Sequence, residues 1–428
     1  MTKLNNGKWR RGTSYVVSYP TMPSMTLQPR RVEILQKPYH HDVLSMEFIN
    51  STEQRFELLK TGIPIRFDWV QGKVSNSWFG YVSSVVKNST AQLTNVTEIH
   101  CVGTTFVLKD RSTKTFTNMS IPMAVKQIVS SYGFNFIGTD SPLKFEQLSI
   151  AGHSYWEWIQ EQAKRIGYGV VIHGMDFIFK PLDKLIDQNV TDVPVLSLFG
   201  NHIPTNSMLL DRTLDSFRVV SGEHIEDSTS LRTNKTISGV DPVSGLVIGA
   251  TKSPNKVGAN LRKSTSDVLF SEVRSEQVAS SYTAAQALSE GAAHNGRMNI
   301  PARIKCQGDP RIQPFAAVYI EGTGSTTDGY WMCKEVKHLF AYIGDYQIEM
   351  LASSDGLGPN AVTAKRQGTD SIVGVVNLSE ALQNKGINTT ALTSKSVKLM
   401  SKSSMHTESN QGFKRTPNLW VHSGNKVR

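Results

Sequence analysis

"SYWEWIQEQAKRIGYGVVIHGMDFIFKP" occupies residues 154–181, and its reading sets how the rest of the chain is divided. Ser154 is an N-cap residue and Glu157 stands three positions later, the spacing at which each side chain caps the other's backbone N–H. At about 100° per residue, Tyr155, Trp156, Trp158, Ile159, Ala163 and Ile166 fall within an arc of roughly 160°. Glu157, Gln160, Glu161, Lys164 and Arg165 fill the other side, with Gln162 the one polar intruder. Both tryptophans lie at the edges of the apolar arc, where the ring packs and the indole N–H stays near a partner. Gly167 is placed to end the helix in the left-handed conformation. "GVVIHGMDFIFKP" then reads as two short strands around a turn near His173–Asp176, closed by Pro181. A helix running into a hairpin makes a packed α/β layer, so the tryptophans read as core and not as a ligand box.

The stretch "NMSIPMAVKQIVSSYGFNF" (118–136) repeats the plan. Ser120 caps, Pro122 fits the first turn, and Gly133 ends the helix. Ile121, Ala124, Val125, Ile128, Val129 and Tyr132 share one face. Two helix–Gly–aromatic–strand passages so close together predict one α/β unit over 116–185.

On either side the period changes to two. In "GIPIRFDWVQGKV" (62–74), Ile63, Ile65, Phe67 and Trp69 alternate with Pro64, Arg66 and Asp68. "WFGYVSSVV" and "VTEIHCVG" continue as short strands with turn residues between them, which predicts a small antiparallel barrel or sandwich over 30–115. From 186 to 352 short strands return, in "DSFRVVSGEH", "NKTISGVDPVSGLV", "IPARIKCQGDPRIQPFAAVYIEG", "GYWMCKEVKHLFAY" and "DYQIEMLAS". An alanine-rich helix is expected within them at 274–293, ending at Gly291 or just beyond. Tyr346, Ile348 and Met350 share a face of the last strand. Residues 1–29 are polar and proline-punctuated, and read as an arm that orders on a partner or stays mobile. Residues 353–428 hold ten Lys/Arg against four Asp/Glu, about +6 of the chain's +10. They read as an extended basic tail clinging to other subunits, or as a disordered linker.

The 428 residues allow two to four domains. No run approaches the ~20 apolar residues of a membrane span. Lys3, Lys8, Arg10 and Arg11 have no apolar block behind them, so no secretory signal is read. Three cysteines, Cys101, Cys306 and Cys333, give no disulfide framework, and synthesis in the cytoplasm is the default. A net charge of +10 permits an acidic partner, nucleic acid or a membrane face without specifying one.

No catalytic, cofactor-binding or metal-ligating residues are assigned. Zinc-protease, Walker, nucleophile-elbow and paired C-x-x-C patterns are missing. Cys333 and His338 are five apart in a predicted strand and face opposite ways unless a bulge intervenes. His40 and His41 cannot face one way in a strand. Glu290 and His294 are a surface i,i+4 pair. Glu157 and Glu161 sit on the polar side of an amphipathic helix, an unpromising place for paired glycosidase carboxylates. "GTGSTTDG" (322–329) lies between two predicted strands, whereas a phosphate cradle needs a helix after its glycines; it reads as a hairpin loop.

The order of these units resembles the tail hub proteins of phages, the family that includes the late control protein of contractile phages and the body of type VI secretion spikes. Its helix motif is matched by Trp158, Ile159, Ala163, Gly167 and Tyr168, and the following strand by Gly174 to Phe179. Its later motifs are matched by Gly308 and Pro310, by Gly329, Tyr330, Val336 and His338, and by Tyr346. The resemblance covers about 30–352. It implies a mostly β, α+β fold: two tail-tube-like antiparallel β-barrels flanking an α/β domain, with an extended C-terminal tail. The second barrel would join about 200–250 with 300–352.

The resemblance further implies a structural, non-enzymatic role as a homotrimer in the virion's tail baseplate or tip. Three copies would present six barrels and adapt a hexameric tail tube to a trimeric tip or spike. The channel would pass DNA in transit or hold the tape-measure protein, with surrounding baseplate or distal tail proteins as further partners and no stable membrane insertion. Subunit interfaces should each bury well over ~2,000 Å². The excess positive charge should lie outside the channel, where it does not retard DNA. Neither a needle nor a lysozyme domain is evident after 353, so a separate tip protein is expected. The rival readings are a cell-wall-degrading enzyme, a receptor- or glycan-binding tip protein, and a nucleic-acid binder.

Overall fold

The computed structural model describes residues 13–21, 29–49, 59–71, 74–89, 95–141, 143–189, 193–198, 212–219, 233–241, 243–257, 260–263, 270–341 and 346–358. The chain opens with β1 (Thr13–Ser18), β2 (Arg31–Gln36), β3 (Val43–Ile49), β4 (Pro64–Gln71), β5 (Val74–Ser89) and β6 (Asn95–Gly103). They hydrogen-bond in the order β1-β4-β5-β6-β3-β2, each pair antiparallel. The alternation that predicted β4 is what buries it. Ile65, Phe67 and Trp69 point into the core, while Arg66 and Asp68 pair on the outer face at 2.7 Å.

The α/β unit follows. It comprises β7 (Lys114–Ser120), α1 (Ile121–Ser131), β8 (Asn135–Gly138), β9 (Lys144–Ile150), α2 (Tyr155–Ile166), β10 (Tyr168–His173), β11 (Asp176–Pro181) and α3 (Leu182–Asn189). Ser154 and Glu157 form the expected capping box, with Ser154 N–H donating to Glu157 Oε2 at 2.8 Å and Glu157 N–H to Ser154 Oγ at 3.2 Å. Gly167 ends α2 at φ 69°. Trp156 and Trp158 are both buried, the former stacked on His41 at 5.2 Å between ring centroids. The expected indole partner is missing for Trp156, whose Nε1 is buried with no hydrogen-bond acceptor. Ser120 does not cap α1; its hydroxyl donates to Asp140 instead, at 2.5 Å.

The chain continues through β12 (Val195–Ser197) and β13 (Arg212–Val219). A three-stranded sheet of β14 (Thr233–Val240), β15 (Val247–Lys252) and β16 (Phe270–Ala279) comes next, then α4 (Tyr282–Asn295). The described chain closes with β17 (Ile300–Gln307), β18 (Ala317–Glu321), β19 (Gly329–Ala341) and β20 (Tyr346–Ser354).

Six of these later strands hydrogen-bond in the order β12-β18-β19-β20-β17-β13. Ranked by position in the chain, both sets of six read 1-4-5-6-3-2. In each set the fifth strand is the longest, 16 residues in β5 and 13 in β19. Each fifth strand also carries a bulge against the sixth, at Val82/Ser84 and at Cys333/Glu335. The chain therefore repeats one six-stranded module. The copies differ at their first strand. β12 joins both β18 and β13 in parallel and closes a ring, whereas among the described residues β1 pairs with β4 alone, antiparallel.

The modules do not stand apart on either side of the α/β unit. β19 is long enough to pair twice along one edge, with β18 at Gly329–Met332 and with β2 at Val336–Ala341. That second pairing fuses the modules into one 12-stranded sheet over a single core.

Three expectations are corrected. Residues 13–18, assigned to the N-terminal arm, form β1, because Val17 is buried and the strand pairs residue for residue with β4. The helix expected at 274–293 begins only at Tyr282, capped by Ser281. Residues 270–279 are a strand, since parallel pairing with β14 outweighs the helical preference of an Ala- and Ser-rich run. Gly291 does not end that helix. A Cβ there would stand 2.7 Å from the backbone of Gly167, so two glycines let α4 and the end of α2 touch. Residues 233–252, expected in the second barrel, belong to the separate β14-β15-β16 sheet. The tail beyond Gly358 and the arm before Thr13 lie outside the described residues.

Candidate functional site

Of the residues that carry the family resemblance late in the chain, Gly308, Val336, His338 and Tyr346 meet at the seam between the modules, whereas Gly329 and Tyr330 pair with β18 inside the second module. Gly308 lies flat against the Tyr346 ring, with 2.2 Å between that ring and any added Cβ, and its N–H donates to the Tyr346 carbonyl at 2.8 Å. The Tyr346 hydroxyl and His338 Nδ1 share a hydrogen bond of 2.8 Å, and His338 Nε2 meets Gln36 Oε1, in the first module, at 3.2 Å. Trp69, also of the first module, packs on the His338 ring at 5.7 Å. Phe340 stacks on Tyr346 at 4.4 Å and meets Phe67, Trp69 and Tyr15 within 6 Å. These groups hold one module to the other.

His338 is fully buried, and desolvation pushes its pKa down to about 3. The folded state therefore resists protonation that the unfolded chain accepts near pH 6.5. The His338 contribution is complete above that pH and is lost as pH falls towards about 3. A His338→Gln variant cannot titrate there. The stability gap between wild type and variant, from urea midpoints, should narrow by about 1.4 kcal/mol per unit below pH 6.5. A gap that stays constant down to pH 4.5 would contradict this.

None of the pairs weighed in the sequence forms a catalytic arrangement. The bulge that could bring Cys333 to the face of His338 exists, yet Cys333 Sγ contacts Met350 Sδ at 3.5 Å and burial pushes its thiol pKa up, away from thiolate. His41 Nδ1 meets Thr105 Oγ1 at 2.8 Å, and burial lowers its pKa to about 4. His40 is exposed and its pKa is also lowered, by desolvation and then by Lys37. Glu157 is committed to the capping box, which lowers its pKa, the reverse of what a general acid needs. Burial holds His294 below the ordinary imidazole value. In the glycine-rich loop, Asp328 accepts from the N–H groups of Gly322, Thr323 and Gly324 at 2.8–3.2 Å. Those amides are spent on Asp328, so the loop is a self-capped hairpin connection and not a phosphate cradle. Among the described residues no group of three His, Cys, Asp or Glu could hold a metal ion, and no helix is long and apolar enough to cross a membrane.

The outer surface offers two unpartnered features. β1 ends the sheet order, so among the described residues no strand pairs with its outer edge, and Val16 on it is 61% exposed. The β14–β15 turn carries Val243 and Leu246, 92% and 69% exposed, and β15 opens on Val247, 82% exposed. A free sheet edge and an apolar hairpin tip are places where another chain can add.

No family model and no curated protein matches the sequence. Solved structures do match. A tail protein from Neisseria meningitidis MC58 superposes with a TM-score of 0.54 at 12% identity, over 81% of this chain and 98% of that one. The 43 kDa tail protein of prophage MuSo2 from Shewanella oneidensis gives 0.54 at 14% identity, over 81% and 99%. The E. coli c3393 protein, a component of the type VI secretion system, gives 0.47 at 9% identity, over 79% and 74%. Mostly β, with a repeated six-stranded module, this chain has the fold of phage tail proteins.

Proposed function

We propose that the chain is a structural hub of a phage tail, a homotrimer in which three copies present six modules to a hexameric tail tube. The observation that carries this reading is the shared 1-4-5-6-3-2 strand order, because a ring of three such chains is six-fold at the level of modules. The division into two tube-like modules, an α/β unit and an insert bearing α4 belongs to the same proposal. The tip or spike would bind the trimeric side, and the ring would enclose the channel for DNA or the tape-measure protein. The hub would reside in the virion tail and act without catalysis. The tail proteins it is similar to, and the absence of an assembled catalytic pair among the described residues, support that.

In this reading the outer edge of β1 pairs with a module of the next copy. Val16→Lys places a charge on that edge, a device by which sheet edges resist pairing. The variant should sediment as monomer where the wild type is trimeric, with the monomer's urea midpoint unchanged within about 0.5 kcal/mol. A variant that remains trimeric removes β1 from the interface.

A further inference from the structure

A cleft of about 550 Å³ opens where the parts of the chain meet. Its wall takes Lys37 and Tyr39 from the first module, Lys164 from α2, Asp183 from α3 and Lys235 from β14. The segment from His294 to Met298 and Lys334 from β19 complete it. Five fixed cations (Lys37, Lys164, Lys235, Arg297 and Lys334) face two carboxylates, Asp183 and Glu335. The floor is apolar, formed by Tyr39, Phe315, Met298, Met332 and Leu351.

The charges are not equally compensated. Lys235, 1% exposed, pairs with Glu272, and Arg297 lies 3.6 Å from Asp355; neither carboxylate lines the cleft. Lys37 meets Glu335 at 3.7 Å. Lys334, half-buried, donates from Nζ to the Met298 carbonyl at 2.8 Å, a neutral partner, and desolvation pulls its pKa down. Lys164 lies over the Tyr39 ring, 5.2 Å from its centroid. A partly desolvated ammonium whose partner among the described residues is a carbonyl keeps part of its desolvation cost, and an anion beside it relieves that cost. Asp183 Oδ1 is buried without a hydrogen-bond partner, which leaves an acceptor for an N–H or O–H on the same ligand.

We infer that this cleft binds an anionic group carried on an apolar body, the anion on Lys334, Lys164 and Lys37 and the body on Tyr39, Phe315 and Met332. The volume suits a ligand of that kind, either a free organic anion or the acidic, apolar end of a docked polypeptide. Because the walls come from both modules, the α/β unit and the β14–β16 insert, the bound ligand would tie all of them together. The inference does not depend on the hub reading.

Calorimetric titration of the full chain tests it with inorganic phosphate, phenyl phosphate and the capped peptide Ac-Leu-Glu-Phe-Glu-NH2. One organic probe should bind one per chain and about tenfold tighter than inorganic phosphate, a difference of about 1.4 kcal/mol. Tighter binding of the peptide assigns the cleft to a docked polypeptide; tighter binding of phenyl phosphate assigns it to a free anion. Lys334→Met should abolish binding. Lys37→Gln and Lys164→Gln, at exposed rim positions that do not threaten folding, should each weaken it at least threefold. The inference is overturned if neither organic probe saturates, if inorganic phosphate binds as well as both, or if the two rim variants bind like wild type.

Discussion

Replacing Arg262 by Met is expected to lower stability by about 3–5 kcal/mol, the range for stripping one partner from a buried charged network. Arg262 is fully buried, yet among the described residues no carboxylate meets its guanidinium directly. Its guanidinium donates to the carbonyls of Asp328, Gly358 (3.0 Å), Thr327 (3.1 Å) and Tyr330 (3.4 Å), and to Ser354 Oγ at 3.3 Å. It also lies over the Trp331 ring at 5.5 Å. Burial lowers its pKa to about 10, opposed by Asp355, so it stays charged at neutral pH. Asp355 meanwhile accepts from the backbone N–H groups of Leu261 and Arg262 at 2.7 and 3.2 Å. One planar fork thus satisfies the end of β20 and the β18–β19 loop together. Methionine fills the volume and takes the guanidinium donors from the Asp328 and Gly358 carbonyls, each worth about 1–3 kcal/mol, while the Thr327 carbonyl keeps the Trp331 indole N–H at 2.9 Å. Arg262→Lys should recover less than half of the loss, because an ammonium cannot span the same set. Urea midpoints check both, with exposed Lys263→Met as a control expected within about 0.5 kcal/mol of wild type. A near-neutral Arg262→Met would show that the network contributes nothing net.

Phe340→Ala should cost a similar amount, about 3–5 kcal/mol. Phe340 is 1% exposed and meets aromatic groups of both modules, Tyr346 in its own and Phe67, Trp69 and Tyr15 in the other. Its removal leaves a cavity that Tyr346, Phe67 and Trp69 cannot close without shifting β19 against β4. Leu339, its half-buried neighbour facing the other way, should lose under about 1.5 kcal/mol on the same change. The second observable is cooperativity. If the modules fold as one core, Phe340→Ala moves a single transition to lower urea and keeps its slope. Two separated transitions would mean that the modules are independent.

What the sequence made legible was local or periodic. The capping box at Ser154, the αL glycine at 167, the hairpin at 168–181 and the alternation of β4 all rest on a few adjacent side chains. Their physics does not need the rest of the fold. β4 to β6, β13 and β17 to β20 were also visible as strands, but β1, β2, β3 and β12 were not singled out, nor were any partners. The antiparallel tie between β2 and β19 joins residues about 300 apart in the chain, and no periodicity encodes that choice. β1 was missed because Thr13, Ser14 and Ser18 make it look polar; only Val17 is buried. Residues 274–279 of β16 were read as the start of a helix because their run of Ser, Glu, Gln and Ala suits one, until β14 offers a parallel partner. The helix was read as ending at Gly291 or just beyond; it runs on to Asn295, and Gly291 serves a close backbone approach to Gly167 that only the fold creates. The cleft was invisible for the same reason: Lys37, Lys164, Lys235 and Lys334 are spread over nearly 300 residues and come together only in three dimensions.

The repeated module makes its most direct claim about stoichiometry. Native mass measurement of the purified chain, followed by end-on averaging of its particles by electron microscopy, tests that claim. Three chains per ring with six similar lobes of density is the expected result. A strict monomer, or a ring of six chains, would contradict it.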